Sequence, residues 1–301
     1  MDIADIAILP QLCVNGLIAG AIYSLPAVGF SLIYATNRFL HLAHGSVMMA
    51  GGYFLYFFFR MWHLPFIIAS LAAIFGATAL GALVFFAVYR PLRQKQGSNV
   101  VMLIASAGLL IFFHGLATLC FGADVKIVDV FDVAQGINIL GALITPLQLF
   151  IIGISLLLLA LVALFMKYTS YGRLIRAVAD HSDLAQMSGI NAHRVQAWSF
   201  VLASAIAGAA GVLVSLERNV EPAQGVGFAV ISFTSTIIGG VGSIPGAIVG
   251  SYLIGLSENL GLWVFPSGYK EAIWLMMLFI FLLVRPTGIF GVEQGTRKTN
   301  I

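Results

Sequence analysis

Charge is the scarcest feature of this 301-residue sequence: Asp, Glu, Lys and Arg together make up only 9% of it. A water-soluble domain covers itself with roughly a quarter charged residues, so a soluble enzyme and a nucleic-acid binder are poor readings from the outset. Cysteine is nearly absent too. Cys13 and Cys120 both fall inside apolar runs, which reads as packing rather than as a disulfide or a metal site. The chain has no G-x-x-x-x-G-K-[ST] segment, and none of its five lysines sits in one, so nucleotide binding by a phosphate loop is excluded. Gly240-Val241-Gly242 followed by Gly246 lacks both the spacing and the preceding strand of a dinucleotide fingerprint. His41 and His44 could share a helix face, but no third metal ligand is near in sequence, and interfacial hydrogen bonding is the simpler role. No Ser/His/Asp constellation supports an intramembrane hydrolase. The amino terminus, Met1-Asp2-Ile3-Ala4-Asp5, carries no basic residue, so it does not resemble a signal peptide and the first apolar stretch is expected to stay in the mature protein.

What the sequence has in abundance is apolar length. Hydrophobic residues make up 60% of it, and the mean hydropathy is +1.01. Runs of about twenty apolar residues cross a hydrocarbon core as helices. Six runs approach that length, at 10–34, 65–89, 100–121, 146–166, 197–216 and 272–284, the last being short unless Tyr269 extends it. Three more, at 45–59, 226–239 and 246–261, are short or interrupted by glycine, and length alone does not decide whether they span or re-enter. The expected fold class is all-α: a polytopic integral membrane protein with about eight or nine transmembrane helices, some short or broken, in one transmembrane domain over 1–301.

The few charges are unevenly placed. Arg38; Arg90, Arg93 and Lys95; Lys167, Arg173, Arg176 and Arg194; and Arg285, Arg297 and Lys298 fall on one side if the nine segments alternate, which is eleven of the fifteen basic residues. That side is expected to be cytoplasmic. Asp2, Asp5, Asp124, Asp129, Asp132, Glu217, Glu221 and Glu271 fall on the other, opposed by Arg60, Lys126, Arg218 and Lys270. The amino terminus is then outside and the carboxyl terminus inside. Eight crossings with one re-entrant hairpin remain the alternative.

Two features go beyond crossing a bilayer. Ala43-His44-Gly45 opens a short segment early in the chain, and Gly239-Gly240-Val241-Gly242-Ser243 interrupts a pair of short segments late in it. Paired interrupted segments point to a transport site made of broken helices, while close packing of small residues explains the same glycines. The loop 167–196 has ordinary polar composition. Between Gly172 and Gly189, residues Leu174, Ala177, Val178, Leu184, Ala185 and Met187 follow a helix-compatible apolar pattern. An amphipathic helix there could lie on the membrane or dock in a partner's groove.

Several segments together resemble the membrane permeases of bacterial ATP-binding cassette importers for branched-chain amino acids, specifically the smaller of the two permeases; urea and short-chain amide importers are close relatives. The resemblance covers nearly the whole chain. It rests on Asn15-Gly16-Leu17-Ile18-Ala19-Gly20-Ala21-Ile22-Tyr23-Ser24-Leu25, His41-Leu42-Ala43-His44-Gly45, the loop 172–191, Glu221-Pro222 with Gly225, Ile238-Gly239-Gly240-Val241-Gly242-Ser243-Ile244-Pro245-Gly246-Ala247, and Arg285-Pro286-Thr287-Gly288-Ile289-Phe290-Gly291. One departure stands out: the family commonly has Asn-Phe-Ala-His-Gly where this chain has His41-Leu42-Ala43-His44-Gly45, so any role of that Asn does not carry over.

The resemblance implies the permease fold of such importers and a chain that is not itself an enzyme. It further implies a second homologous permease, two cytoplasmic ATPases that hydrolyse ATP with magnesium, and a periplasmic or lipoprotein binding protein, in the inner membrane of a bacterium. The loop matches the ATPase-coupling segment, with Gly172, Arg173, Leu174, Arg176, Ala177, Val178, Leu184 and Gly189 as its candidates; Leu174, Val178 and Leu184 are expected to supply the buried contact. A zwitterionic aliphatic substrate needs partners for both charges and an apolar wall. His44, Gly45, Gly239, Gly240, Gly242, Glu258 and Asn259 are the pathway candidates, Glu258 because an acid in an apolar segment normally faces protein or water. Packing is the competing role for each. An ion-coupled secondary transporter is the alternative class, with Glu258 as its only deep ionisable group.

Overall fold

The computed structural model describes residues 8–130, 136–139 and 141–291. Asp2, Asp5, Asp132, Arg297 and Lys298, which entered the charge pattern, lie outside the described residues. The chain is helical, with helices α1 (Leu9–Asn37), α2 (His44–Tyr56), α3 (Phe66–Gln94) and α4 (Asn99–Phe121). A small hairpin follows, β1 (Ile137–Ile139) pairing antiparallel with β2 (Ala142–Ile144). Then come α5 (Pro146–Tyr168), α6 (Ser170–Asp180), α7 (Ser182–Met187), α8 (Ala192–Arg218), α9 (Gln224–Gly239), α10 (Ile244–Gly261) and α11 (Lys270–Val284).

Local chemistry sets the ends. Thr145 and Gln148 form a reciprocal capping box at α5, with Pro146 at the first turn, where its missing N–H costs nothing. Thr169, Asn191 and Ser243 accept from the first-turn N–H groups of α6, α8 and α10. Arg38 takes a left-handed conformation to end α1. The loop hairpin 136–144 was not anticipated among the helices; Gly141, with φ +87°, makes its turn, and its N–H donates to the Asn138 side chain.

Five helices, α1, α3, α4, α5 and α8, are long and apolar enough to cross a membrane; α9 and α10 meet at a 114° bend and count as a sixth if taken as one broken span. Within these spans burial sorts the helices into two shells. The most apolar windows of α1 and α8 are 94% and 78% buried, whereas those of α3, α4 and α5 are under a third buried. The first two form the centre, and the other three present Ile67, Phe75, Ile111, Leu119, Leu157 and similar side chains to lipid. In water such an exposed apolar surface would aggregate; in a bilayer it is the solvated face. Cys13 and Cys120 belong to this outer surface: both are free and exposed, which corrects the expectation that they pack inside.

The short helices α2 and α9 are half-spans. The segment 38–43 enters from one end of the bundle, where Arg38 donates to the Ala179 carbonyl, and α2 begins deep inside, with His44 against Gly29 of α1. It then runs beside α8 toward the opposite end. The segment 219–223 enters from that opposite end, pairing with Lys126, and α9 begins beside α2 and runs back along α1. The two helix starts meet: a Cβ on Gly45 would lie 2.1 Å from the Gly225 carbonyl oxygen. Elements α1–α2–α3–α4 and α8–α9–α10–α11 therefore repeat one arrangement in opposite directions, with α5, α6 and α7 between them.

Candidate translocation and coupling sites

Of the glycines expected on the pathway, Gly45, Gly239 and Gly240 are contact points between backbones. A Cβ on Gly239 would fall 1.9 Å from the Gly246 carbonyl oxygen, and one on Gly250 would fall 2.1 Å from that of Ser235, so the two limbs of the α9–α10 bend pack without side chains between them. Gly240 and Gly242 have φ of +110° and +85°, conformations that L side chains rarely adopt. The Ile238 and Gly239 carbonyls accept from the N–H groups of Ile289 and Phe290, each at 2.9 Å, so the segment after α11 closes over the bend. Close packing accounts for Gly239, Gly246 and Gly250. Gly45 has the same role, and His44 is wedged between Gly29 and Ala203. His41 instead reaches Tyr89, Nδ1 to Oη at 2.9 Å.

Glu258 and Asn259 belong to a different place, a polar cluster near the end of the bundle where α1 starts and α8 finishes. Glu258 is buried, yet its charge is matched. Tyr23 donates to its Oε2 at 2.9 Å, and the Lys270 ammonium lies 3.5 Å from Oε1. Arg218 donates to the Tyr23 hydroxyl at 3.3 Å and lies over the Tyr23 ring. Beside this cluster a cleft of about 180 Å³ is lined by Asn15, Gln148, Glu217, Arg218 and Asn259 over an apolar floor of Ile18, Ala19 and Ile22. The cleft places an acid and a guanidinium within one small space, which suits a ligand carrying both charges. Glu217 and Arg218 were read from the sequence only as surface charges. They are the last two residues of α8, and contacts across the bundle place them in the cleft: Glu217 accepts from the Gln148 side chain at 3.2 Å and Arg218 reaches back to Tyr23.

At the other end, α6 and α7 form the amphipathic connector that the loop pattern predicted, in two pieces broken at His181. Gly172 lets α6 fold back on α5, since a Cβ there would meet the Phe165 and Met166 carbonyls at 2.5 Å. Gly189, at φ +84°, ends α7. Ile175, Val178 and Ala185 are buried in this chain's own core, and Leu174 packs partly against it. Val178 is thus turned inward and gives no docking contact, a correction to the sequence reading, which also passed over Ile175. The face left free carries Arg173, Arg176, Tyr171, Leu184 and Met187, the last two 58% and 85% exposed, while Ala177 is half-buried. Arg176 donates to the Met166 carbonyl and Arg173 to Ser170 Oγ at 3.1 Å, which holds both guanidinium groups at this surface.

The charge asymmetry persists in three dimensions. Arg38, Arg90, Arg93, Lys95, Lys167, Arg173, Arg176, Arg194 and Arg285 gather at the α6–α7 end, and Arg60, Lys126, Arg218 and Lys270 at the other, with most of the acids. An inverted repeat with two half-spanning helices, a polar cleft at one end and a basic amphipathic helix pair at the other defines an integral-membrane permease.

Comparison with known proteins places it further. Residues 12–284 match the family of branched-chain amino acid transport system permease components, and the chain belongs to that family. It is 31% identical over 295 residues to the high-affinity branched-chain amino acid transport system permease protein BraD of Pseudomonas aeruginosa, covering 93% of this chain and 95% of BraD. It is 32% identical over 290 residues to the permease protein LivH of the corresponding system of Salmonella typhimurium, covering 92% and 94%. Among solved structures, PsaBC from Streptococcus pneumoniae in complex with Fab shares the fold, with a TM-score of 0.53, 15% identity, and coverage of 95% of this chain and 97% of that one.

Proposed function

We propose that this chain is the permease subunit of an ATP-driven importer that carries leucine, isoleucine and valine across the bacterial inner membrane. BraD and LivH, which match it over more than nine-tenths of its length, are permeases of high-affinity branched-chain amino acid systems. The observation that carries the energy source is the α6–α7 pair: exposed Leu184 and Met187 beside Arg173 and Arg176, at the basic end of the bundle, offer an ATPase both an apolar anchor and cations. By the bias in basic residues that end is the cytoplasm, which puts the amino terminus outside and the carboxyl terminus inside.

In this reading the chain works with a second permease, two ATPases that hold ATP and magnesium, and a binding protein that delivers the amino acid from outside. It contributes a path and a coupling surface but no hydrolysis. The cleft between Glu217 and Arg218 lies on the delivering side, and its two charges suit the ammonium and carboxylate of the substrate. Glu258 weighs against ion-coupled transport: an ion-coupling carboxylate exchanges its charge partner during the cycle, and this one is already held by Lys270 and Tyr23. Competition during uptake tests the substrate class. Labelled leucine entry should be blocked by isoleucine and valine and untouched by urea or acetamide; blocking by urea or acetamide would transfer the chain to the amide importers.

A further inference from the structure

At the basic end, α3 and α8 diverge and leave a cleft of about 750 Å³. One wall is the π-helical turn Phe85–Tyr89 of α3, whose extra residue widens the helix there. The other is the first three turns of α8. The walls are apolar, with Phe86 and Trp198 about half exposed and Val201 beside them. The rim is cationic: Arg90, Arg93 and Arg194 line it, with His193, and no carboxylate does. Among the described residues the ion pairs are Arg60–Asp129 and Lys270–Glu258, so none of these three arginines has a carboxylate partner there; Arg93 donates to the Asn37 carbonyl at 2.7 Å and Arg90 lies over the Phe86 ring. At the back, Gln196 is 6% exposed; its Nε2 donates to the Thr36 carbonyl while its Oε1 has no hydrogen-bond partner.

The geometry points to an anionic phospholipid as the occupant, its phosphate on Arg90 and Arg194 and its acyl chain along Phe86, Trp198 and Val201. Three features select a lipid over a soluble anion or a protein. The apolar wall continues into the lipid-facing surface of α3, where Leu83 and Phe86 are exposed. The cleft sits at the level where Tyr171 packs on Trp198, ring centroids 5.3 Å apart, and interfacial aromatic residues mark the headgroup layer. Basic groups without a carboxylate partner, set between membrane helices at that level, are the chemistry that recognises anionic headgroups. The free Gln196 oxygen needs a donor, which the hydroxyls of a phosphatidylglycerol headgroup supply. Bound there, the lipid would join α3 to the start of α8, directly after the α6–α7 connector.

Native mass spectrometry of the full chain, purified in detergent and titrated with phosphatidylglycerol or phosphatidylcholine, tests this. The wild type should retain phosphatidylglycerol in preference. R90Q/R194Q, which changes two exposed side chains, should lose that preference by roughly tenfold, while R60Q at the opposite end keeps it. Soluble glycerol phosphate should not compete. Equal retention of the two lipids by the wild type, an unchanged preference in R90Q/R194Q, or displacement by glycerol phosphate would each overturn the proposal. So would loss of ATPase co-purification from R90Q/R194Q with its lipid preference intact, which would assign the cleft to the motor. An independent reading needs no arginine variant: brominated phosphatidylglycerol should quench the Trp198 component of the fluorescence, taken as wild type minus W198F, more strongly than brominated phosphatidylcholine, and equal quenching would again contradict it.

Discussion

Tyr23 joins three other helices through one side chain. Its hydroxyl accepts from Arg218 of α8 and donates to Glu258 of α10, while its ring packs edge-on against Phe228 of α9. One residue of the central helix thus ties both members of the inverted repeat and screens a buried carboxylate. Tyr23→Phe keeps the ring and removes the bridge. It should cost about 1.5–3 kcal/mol, the range for hydrogen bonds to charged groups, seen as a lower unfolding temperature in detergent; an unchanged temperature would mean that water replaces the bridge freely. Lys270→Gln should cost less, under about 1 kcal/mol, because the lysine is a third exposed and its attraction to Glu258 is screened by water. Glycines sort in the same way. Gly45→Ala drives a methyl into the Gly225 carbonyl and should cost upward of about 3 kcal/mol, at the high end for overpacking because the obstacle is backbone. Gly227→Ala in the same region has nothing within 4 Å of the new carbon and should be neutral or slightly stabilising. Equal yields of folded G45A and G227A would refute the close approach of α2 and α9.

Among the elements, α6 and α7 show where sequence reasoning succeeds and where it stops. Apolar spacing and the flanking Gly172 and Gly189 identify an amphipathic helical connector. They do not say which apolar residues face the chain's own core and which face a partner, because both faces select the same side chains. Only the packing of α5 and α8 settles it, turning Ile175 and Val178 in and Leu184 and Met187 out. The prediction follows that division. Leu184→Asp with Met187→Asp should leave the permease folded and membrane-inserted while reducing ATPase co-purification severalfold. Val178→Asp buries an unpaired charge, costs at least about 3 kcal/mol, and should lower the yield of folded permease itself. ATPase recovery unchanged in the double variant would remove α7 from the interface. The broken pair α9–α10 was legible for a plainer reason: glycines in a run and a proline at the next helix start leave few conformations other than a bend. The polar cleft was not legible, since Glu217, Arg218, Gln148 and Asn15 come from three helices far apart in sequence and no periodicity links them.

For the whole molecule, hydropathy located the spans and the basic residues located the ends, because the bilayer constrains composition more strictly than water does. What the sequence did not reveal is the depth at which α2 and α9 begin, which depends on segments 38–43 and 219–223 folding inside the bundle. The orientation can be measured in a background with Cys13→Ser and Cys120→Ser. A membrane-impermeant maleimide should label Ser188→Cys only from the cytoplasmic side and Asp124→Cys only from the outside; the reverse pattern would invert the topology. The mechanism proposed here is an import cycle driven by ATP hydrolysed on another chain. Its most direct test is leucine uptake into proteoliposomes containing the assembled importer and binding protein, with no ion gradient or voltage imposed. Accumulation should require ATP on the α6–α7 side and survive ionophores. Uptake that proceeds without ATP along an imposed proton or sodium gradient would contradict the account.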